Sequence, residues 1–112
     1  MYKKFSDEYY MNVALKIARR GLGRTAPNPS VGCVIVKDGH IIAAERTSDG
    51  GRPHAEVNAL NKVGTLARGC TAYVSLEPCS HTGKTGPCSE ALIKAGVKRV
   101  VIACTDPDPR VS

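Results

Sequence analysis

Tryptophan is absent from this 112-residue chain, phenylalanine occurs once and aromatic residues make up 4% of it. A groove that stacks single-stranded nucleic acid on aromatic side chains within a dense basic run is therefore not expected, and nucleic acid is not an expected partner. No apolar run approaches the roughly 20 residues that cross a bilayer. The N-terminal Tyr2-Lys3-Lys4-Phe5 has no signal-peptide apolar core either, so no membrane partner is expected and the cytoplasm is the default location. Internal repeats and low-complexity segments are also missing. Cysteines number five, an odd count. In a reducing cytosol such thiols read as metal ligands or as small buried residues rather than as disulfides.

What remains is the material of one compact domain, because 112 residues are too few for two cores. Hydrophobic residues at 42% and charged residues at 23% form an ordinary globular balance. The formal net charge of +6 is compatible with an anionic ligand such as a phosphate. Most of these cations, Lys3, Lys4, Arg19, Arg20, Lys62 and Lys98 among them, read as solvated surface charges.

The hydrophobic pattern predicts a helix over 7–21, capped by Ser6 or Asp7, with Met11, Ala14, Leu15 and Ala18 on one stripe and Gly21 as its stop. A shaped loop follows, since Pro27 and Pro29 lack amide donors and bias their predecessors to extended backbone. Strands over 31–36 and 41–44, joined through Asp38-Gly39, form a hairpin. After the polar stretch 47–53, Ala55, Val57, Ala59 and Leu60 mark a second helix that begins near His54. A third strand spans 70–76 and a turn-rich loop 77–87. A third helix opens at Cys88, runs through Ala91, Leu92, Ile93 and Ala95, and ends at Gly96, before a fourth strand over 97–104. This order predicts a sheet covered by helices on both faces, with His54 and Cys88 at helix starts beside strand ends, where α/β proteins place their ligands.

The chemistry concentrates at those starts. His54-Ala55-Glu56 is followed by Pro78-Cys79 and, after eight further residues, by Cys88. One imidazole and two thiolates supply three ligands for tetrahedral zinc and leave a fourth position for water, the arrangement of a catalytic site rather than a structural one. Zinc lowers the pKa of that water to about 7. Glu56, at the first turn of a helix two residues beyond the histidine, is placed to shuttle the protons that hydrolysis of an amino group requires. Cys88 at a helix N-terminus gains thiolate character from the helix dipole. Taken singly, His-Ala-Glu reads as a capped helix start and Pro-Cys as a buried thiol in a turn. Together and in this order they match the pattern of zinc deaminases. Cys33, Cys70 and Cys104 lie among Val, Ile or Ala in predicted strands and read as buried, and His40 reads as a solvated turn residue.

Four segments carry a more specific resemblance. They are Thr25-Ala26-Pro27-Asn28-Pro29-Ser30-Val31-Gly32, Gly51-Arg52-Pro53-His54-Ala55-Glu56-Val57, the run 77–88 with His81, Gly83 and Lys84 between its cysteines, and Asp106-Pro107-Asp108-Pro109. Through them the chain resembles, over 7–111, the deaminase domain of the bifunctional riboflavin-biosynthesis deaminase/reductases. The resemblance implies a cytidine deaminase-like three-layer α/β/α sandwich with a mixed central sheet. It implies one zinc ion per chain and, as substrate, the phosphoribosyl-pyrimidine 2,5-diamino-6-(5-phosphoribosylamino)pyrimidin-4-one, hydrolysed to 5-amino-6-(5-phosphoribosylamino)uracil and ammonia. It also implies substrate contacts from Asn28, His81, Lys84 and Asp106, with Lys84 facing the phosphate.

Two departures from that family stand out. Glu45-Arg46-Thr47 occupies the place of a Gly-x-His segment, so Thr47 replaces a substrate-contacting histidine and offers a neutral hydroxyl instead. The sequence also stops before the family's next helix and strand and before its reductase domain. NADPH is therefore not expected as a cofactor, the sandwich is expected to be C-terminally truncated, and an uncovered sheet edge is expected to favour self-association into a homo-oligomer. Two other functions compete. A deaminase of nucleobases, nucleosides or tRNA shares the chemistry, but the tRNA enzymes resemble Pro-Cys-x-x-Cys instead. A catalytically silent zinc module would have no need of Glu56.

Overall fold

The computed structural model describes residues 6–26, 30–76 and 87–104. Helix α1 (Asp7–Arg19) begins where the sequence supplies a cap: the Ser6 hydroxyl accepts from the Tyr9 amide at 3.2 Å, and Asp7 and Glu8 sit in the electropositive first turn. The helix ends before the expected Gly21. Its buried face, Tyr10, Met11, Ala14, Ile17 and Ala18, is wider than the expected stripe, and Leu15 lies at its margin. Tyr10 is drawn inward by the ring of Tyr73, 5.2 Å away between centroids, and its hydroxyl donates to the Gly39 carbonyl at 3.0 Å.

Strands β1 (Gly32–Lys37) and β2 (His40–Arg46) form the expected hairpin. Asp38 and Gly39 adopt φ values of 51° and 81°, the pair of positive angles that a two-residue type I′ turn needs. β3 (Thr71–Leu76) lies antiparallel to β1, and β4 (Arg99–Cys104) lies parallel to β3, giving a mixed sheet in the order β2-β1-β3-β4. Helix α2 (Ala55–Val63) follows β2, and helix α3 (Pro87–Lys94) joins β3 to β4. Short 3-10 turns at Asp49–Gly51 and Gly64–Ala67, not expected from the sequence, tighten the ends of two connections.

Alternation along the strands sorts the core into two halves. Cys33, Ile35, Ala72 and Val74 face α2 and α3, where Ala55, Ala59, Val63 and Leu92 meet them. Val34, Val36 and Tyr73 face the opposite way, onto Tyr10, Met11, Ala14 and Ile17 of α1. Three layers result, as expected, with the two central strands buried on both sides. On α3, Leu92 is fully buried while Ile93 is exposed. Neighbours on a helix point about 100° apart, so only one of the two can join the core.

The serines at one end of the sheet bind it to α1. Ser30 donates to the Ala18 carbonyl. Ser75 accepts from the Gly32 amide at 3.2 Å and reaches the Ala14 carbonyl at 3.4 Å.

Candidate active site

The register puts the start of β1, the end of β2 and the end of β3 together, since Gly32 is opposite Arg46 on one side and Ser75 on the other. Helix α2 opens at this end, because the segment after β2 folds back on itself with the Ser48 amide bonded to the Pro53 carbonyl at 3.0 Å. The first turn of α3 belongs to the same end. Just past its last turn, the Gly96 carbonyl accepts from the Gly69 amide at 2.9 Å, beside the opposite end of β3. The helix starts at His54 and Cys88 therefore both lie towards this end of the sheet.

His54 is the N-cap residue of α2, with extended backbone (φ −71°, ψ 161°), and its side chain makes no capping hydrogen bond. The imidazole is exposed. Two residues on, Glu56 is turned inward and is 7% exposed. Burial raises the pKa of its carboxyl, opposed by a hydrogen bond from its own amide and by the charge of His54. A carboxyl group whose proton is held more tightly than an exposed one's is suited to taking up and returning a proton. Cys33 lies on the β1 face that packs against α2, and its thiol is held protonated by burial, then by Glu56 and by Glu45. Cys33 and Cys70 are both free and buried, in keeping with their reading as small core residues. His40 is exposed at the start of β2.

The segment between β2 and His54 is secured on several sides. Thr47 is buried to 1% exposure. Its hydroxyl accepts from the Val31 amide at 2.9 Å and approaches the Val31 carbonyl at 3.5 Å, while its own amide donates to that carbonyl at 2.9 Å. A substrate hydrogen bond from Thr47 would compete with this pairing. The Arg46 guanidinium donates to the Thr47 carbonyl at 2.7 Å and to Asp49 at 2.8 Å. From within α2, the Asn58 amide nitrogen donates to the Arg46 carbonyl and the Ser48 hydroxyl, both at 2.9 Å, and reaches the Pro53 carbonyl at 3.4 Å. Sequence reasoning missed Asn58. The available signal was a polar, indifferent helix former inside the apolar run Val57 to Leu60.

Asn28, Cys79, His81, Lys84 and Asp106 lie outside the described residues, as does the side chain of Cys88. Among the described residues no group of three His, Cys, Asp or Glu side chains is arranged to hold a metal ion. His54, the described member of the expected donor set, is an exposed imidazole, a ligand type that zinc takes, and Glu56, which is not a ligand, is buried in the helix turn that follows it. No helix among the described residues is long and apolar enough to cross a membrane.

Residues 4–104 match the model of the cytidine and deoxycytidylate deaminase zinc-binding region. The chain belongs to this deaminase family. Within the family it is 59% identical over 106 residues to the riboflavin biosynthesis protein RibD of Escherichia coli K12, covering 95% of this chain and 29% of that protein. It is 51% identical over 107 residues to the diaminohydroxyphosphoribosylamino-pyrimidine deaminase of Buchnera aphidicola subsp. Acyrthosiphon pisum, covering 96% of this chain and 73% of that one. The solved structure of Acinetobacter baumannii RibD superposes with a TM-score of 0.75 at 57% identity, over 93% of this chain and 29% of that one. The chain thus spans under a third of the RibD proteins and nearly three quarters of the shorter deaminase.

Proposed function

We propose that this chain hydrolyses the ring amino group of 2,5-diamino-6-(5-phosphoribosylamino)pyrimidin-4-one, releasing 5-amino-6-(5-phosphoribosylamino)uracil and ammonia in the cytoplasm, with one zinc ion per chain. The observation that carries this reading is Glu56, a carboxyl group buried in the first turn of the helix that His54 caps. Membership of a zinc-binding deaminase family and the pyrimidine deaminase named among its relatives support the choice of substrate.

His54, Cys79 and Cys88 would hold the metal. Zinc, when bound, supplies a water molecule acidic enough to act as a nucleophile near neutral pH. Glu56 would take a proton from the attacking water and deliver it to the ring nitrogen next to the carbon that bears the amino group. It then carries the second proton to the departing nitrogen, which leaves as ammonia, so one water is consumed for each amine released. Burial keeps bulk water from short-circuiting this shuttle. Asn28, His81 and Asp106 would fix the pyrimidine and Lys84 the phosphate. Thr47, already paired with Val31, serves the site by holding β1 against the segment that leads to His54.

Ammonia release from this pyrimidine by the zinc-loaded chain tests the reading. Release that Glu56→Gln abolishes supports it. Equal release by parent and variant would sink it, and so would none from the parent. Turnover of cytidine or of tRNA in parallel reactions, without turnover of the phosphoribosyl-pyrimidine, would favour the other deaminase readings.

A further inference from the structure

We propose that Asn58 is a positioning residue that sets the placement of His54 by tying the whole preceding segment to the helix His54 caps. The inference rests on the reading of His54 as a metal ligand. One side-chain amide touches the beginning, middle and end of the segment: the carbonyl of Arg46 and the hydroxyl of Ser48 at 2.9 Å each, and the carbonyl of Pro53 at 3.4 Å. An amide nitrogen carries two hydrogens, so the two short bonds take one apiece and Pro53 shares. Pro53 is joined covalently to His54, and the backbone of Asn58 itself accepts no freedom there, because its amide donates to the His54 carbonyl at 3.0 Å.

The His54 side chain makes no capping bond to the first turn of α2, so among the described side chains the Asn58 bonds are the ones that join the preceding segment to that helix. The backbone of His54 continues directly from the segment that delivers it, through Pro53. The Ser48 amide to Pro53 carbonyl bond and the Arg46 guanidinium to Thr47 carbonyl bond close this segment on itself, and Thr47 fastens it to Val31 beside β1. Among the described side chains, Asn58 ties it directly to α2 at all three points. Asparagine is an indifferent helix former, so a residue chosen for helix stability alone would be different. Groups that orient a ligand without touching the metal commonly alter affinity by about 10- to 100-fold.

Cobalt uptake by the full chain provides the test, since its visible absorption reports ligand geometry as well as occupancy. Asn58→Ala is expected to raise the metal dissociation constant by about tenfold or more and to shift the cobalt bands, at a temperature where the variant is fully folded. Ser48→Ala, which leaves α2 intact, is expected to move both in the same direction by a smaller factor. Tyr73→Phe, which removes a hydrogen bond at the opposite end of the sheet, controls for lost stability and is expected to lower the melting temperature while leaving affinity and spectrum unchanged. Parent-like affinity and spectrum in Asn58→Ala would overturn the proposal, as would an equal shift in Tyr73→Phe. A parent chain that takes up no cobalt overturns the zinc-site reading itself and this inference with it, and is distinguishable because the parent alone decides it.

Discussion

Gly32 lies so close beneath α1 that a β-carbon on it would fall on the carbonyl oxygen of Ala14, with the Ala14 carbonyl carbon and the Ala18 amide next in line. These obstacles are backbone atoms of a helix and cannot rotate away. Gly32→Ala is therefore expected to push α1 off the sheet and to destabilise the fold by about 3 kcal/mol. Gly50→Ala makes the comparison informative: its β-carbon would meet nothing within 4 Å, and only its positive φ of 84° opposes the change. Chemical denaturation of the two variants should rank Gly32→Ala as clearly the more damaging. Equal losses would mean that close approach is not what requires glycine at position 32.

A second prediction concerns the far end of the sheet. The Tyr73 hydroxyl donates to Asp7 at 2.6 Å, and Arg99 grips the same carboxylate at 2.9 and 2.5 Å, joining α1, β3 and β4. The tyrosine is 3% exposed. Burial and then the bond to Asp7 push its pKa up from 10.0 to about 12. Between these values the folded chain holds a proton that the unfolded chain has lost, so the contribution is intact below pH 10 and falls away as pH rises towards 12. Tyr73→Phe should be less stable than the parent at pH 8, by about 1 kcal/mol, and the difference should shrink through that window. Denaturant midpoints at pH 8 and pH 11 provide the check. A gap that stays constant or widens with pH would contradict the assignment.

The features legible in the sequence are those with local causes. Asp38-Gly39 announces a turn because both residues tolerate positive φ, and Ser6 announces a helix start because its hydroxyl can reach the amide three residues on. His54 and Glu56 were legible as a pair because a helix start fixes their relation whatever surrounds it. Gly32 was visible only as one residue of a motif, since the reason for glycine is a helix that approaches from elsewhere in the chain. Asn58 was invisible for the same reason: its three acceptors lie 5 to 12 residues away, and only the folded loop brings them to one amide. Which of Leu92 and Ile93 joins the core was not legible from composition, because apolar neighbours on a helix need not share a face.

Glu56 yields a prediction that separates catalysis from stability. A carboxyl group 7% exposed, with its pKa raised by burial, is held at some expense in desolvation. Glutamine keeps the shape and removes the charge. In the metal-free chain Glu56→Gln is therefore expected to be as stable as the parent or more so, by up to about 1 kcal/mol. In the zinc-loaded chain its deamination rate should fall by roughly 100-fold or more. Thermal melts in chelator, set beside ammonia release, measure both. A variant that lost activity only because it had unfolded would show a lower melting temperature, and Glu56 would then be structural.

The choice of zinc ligands leads to the last prediction. Zinc binds thiolate, whereas Cys33 is 0% exposed and held as the thiol by burial and by nearby Glu56 and Glu45. Cys70 is buried as well, its Sγ donating to the Leu66 carbonyl at 3.0 Å, and burial raises its pKa too. Cys33→Ala and Cys70→Ala should each retain one zinc per chain, with stability losses on the order of 1 kcal/mol. His54→Ala should lose the metal. Native protein should also shield Cys33 and Cys70 from a thiol reagent until it unfolds, so that mass mapping finds both unlabelled while the chain is folded. Zinc content by elemental analysis decides the matter: loss of the ion from Cys33→Ala would place this thiol in the donor set, and retention by His54→Ala would remove the imidazole from it.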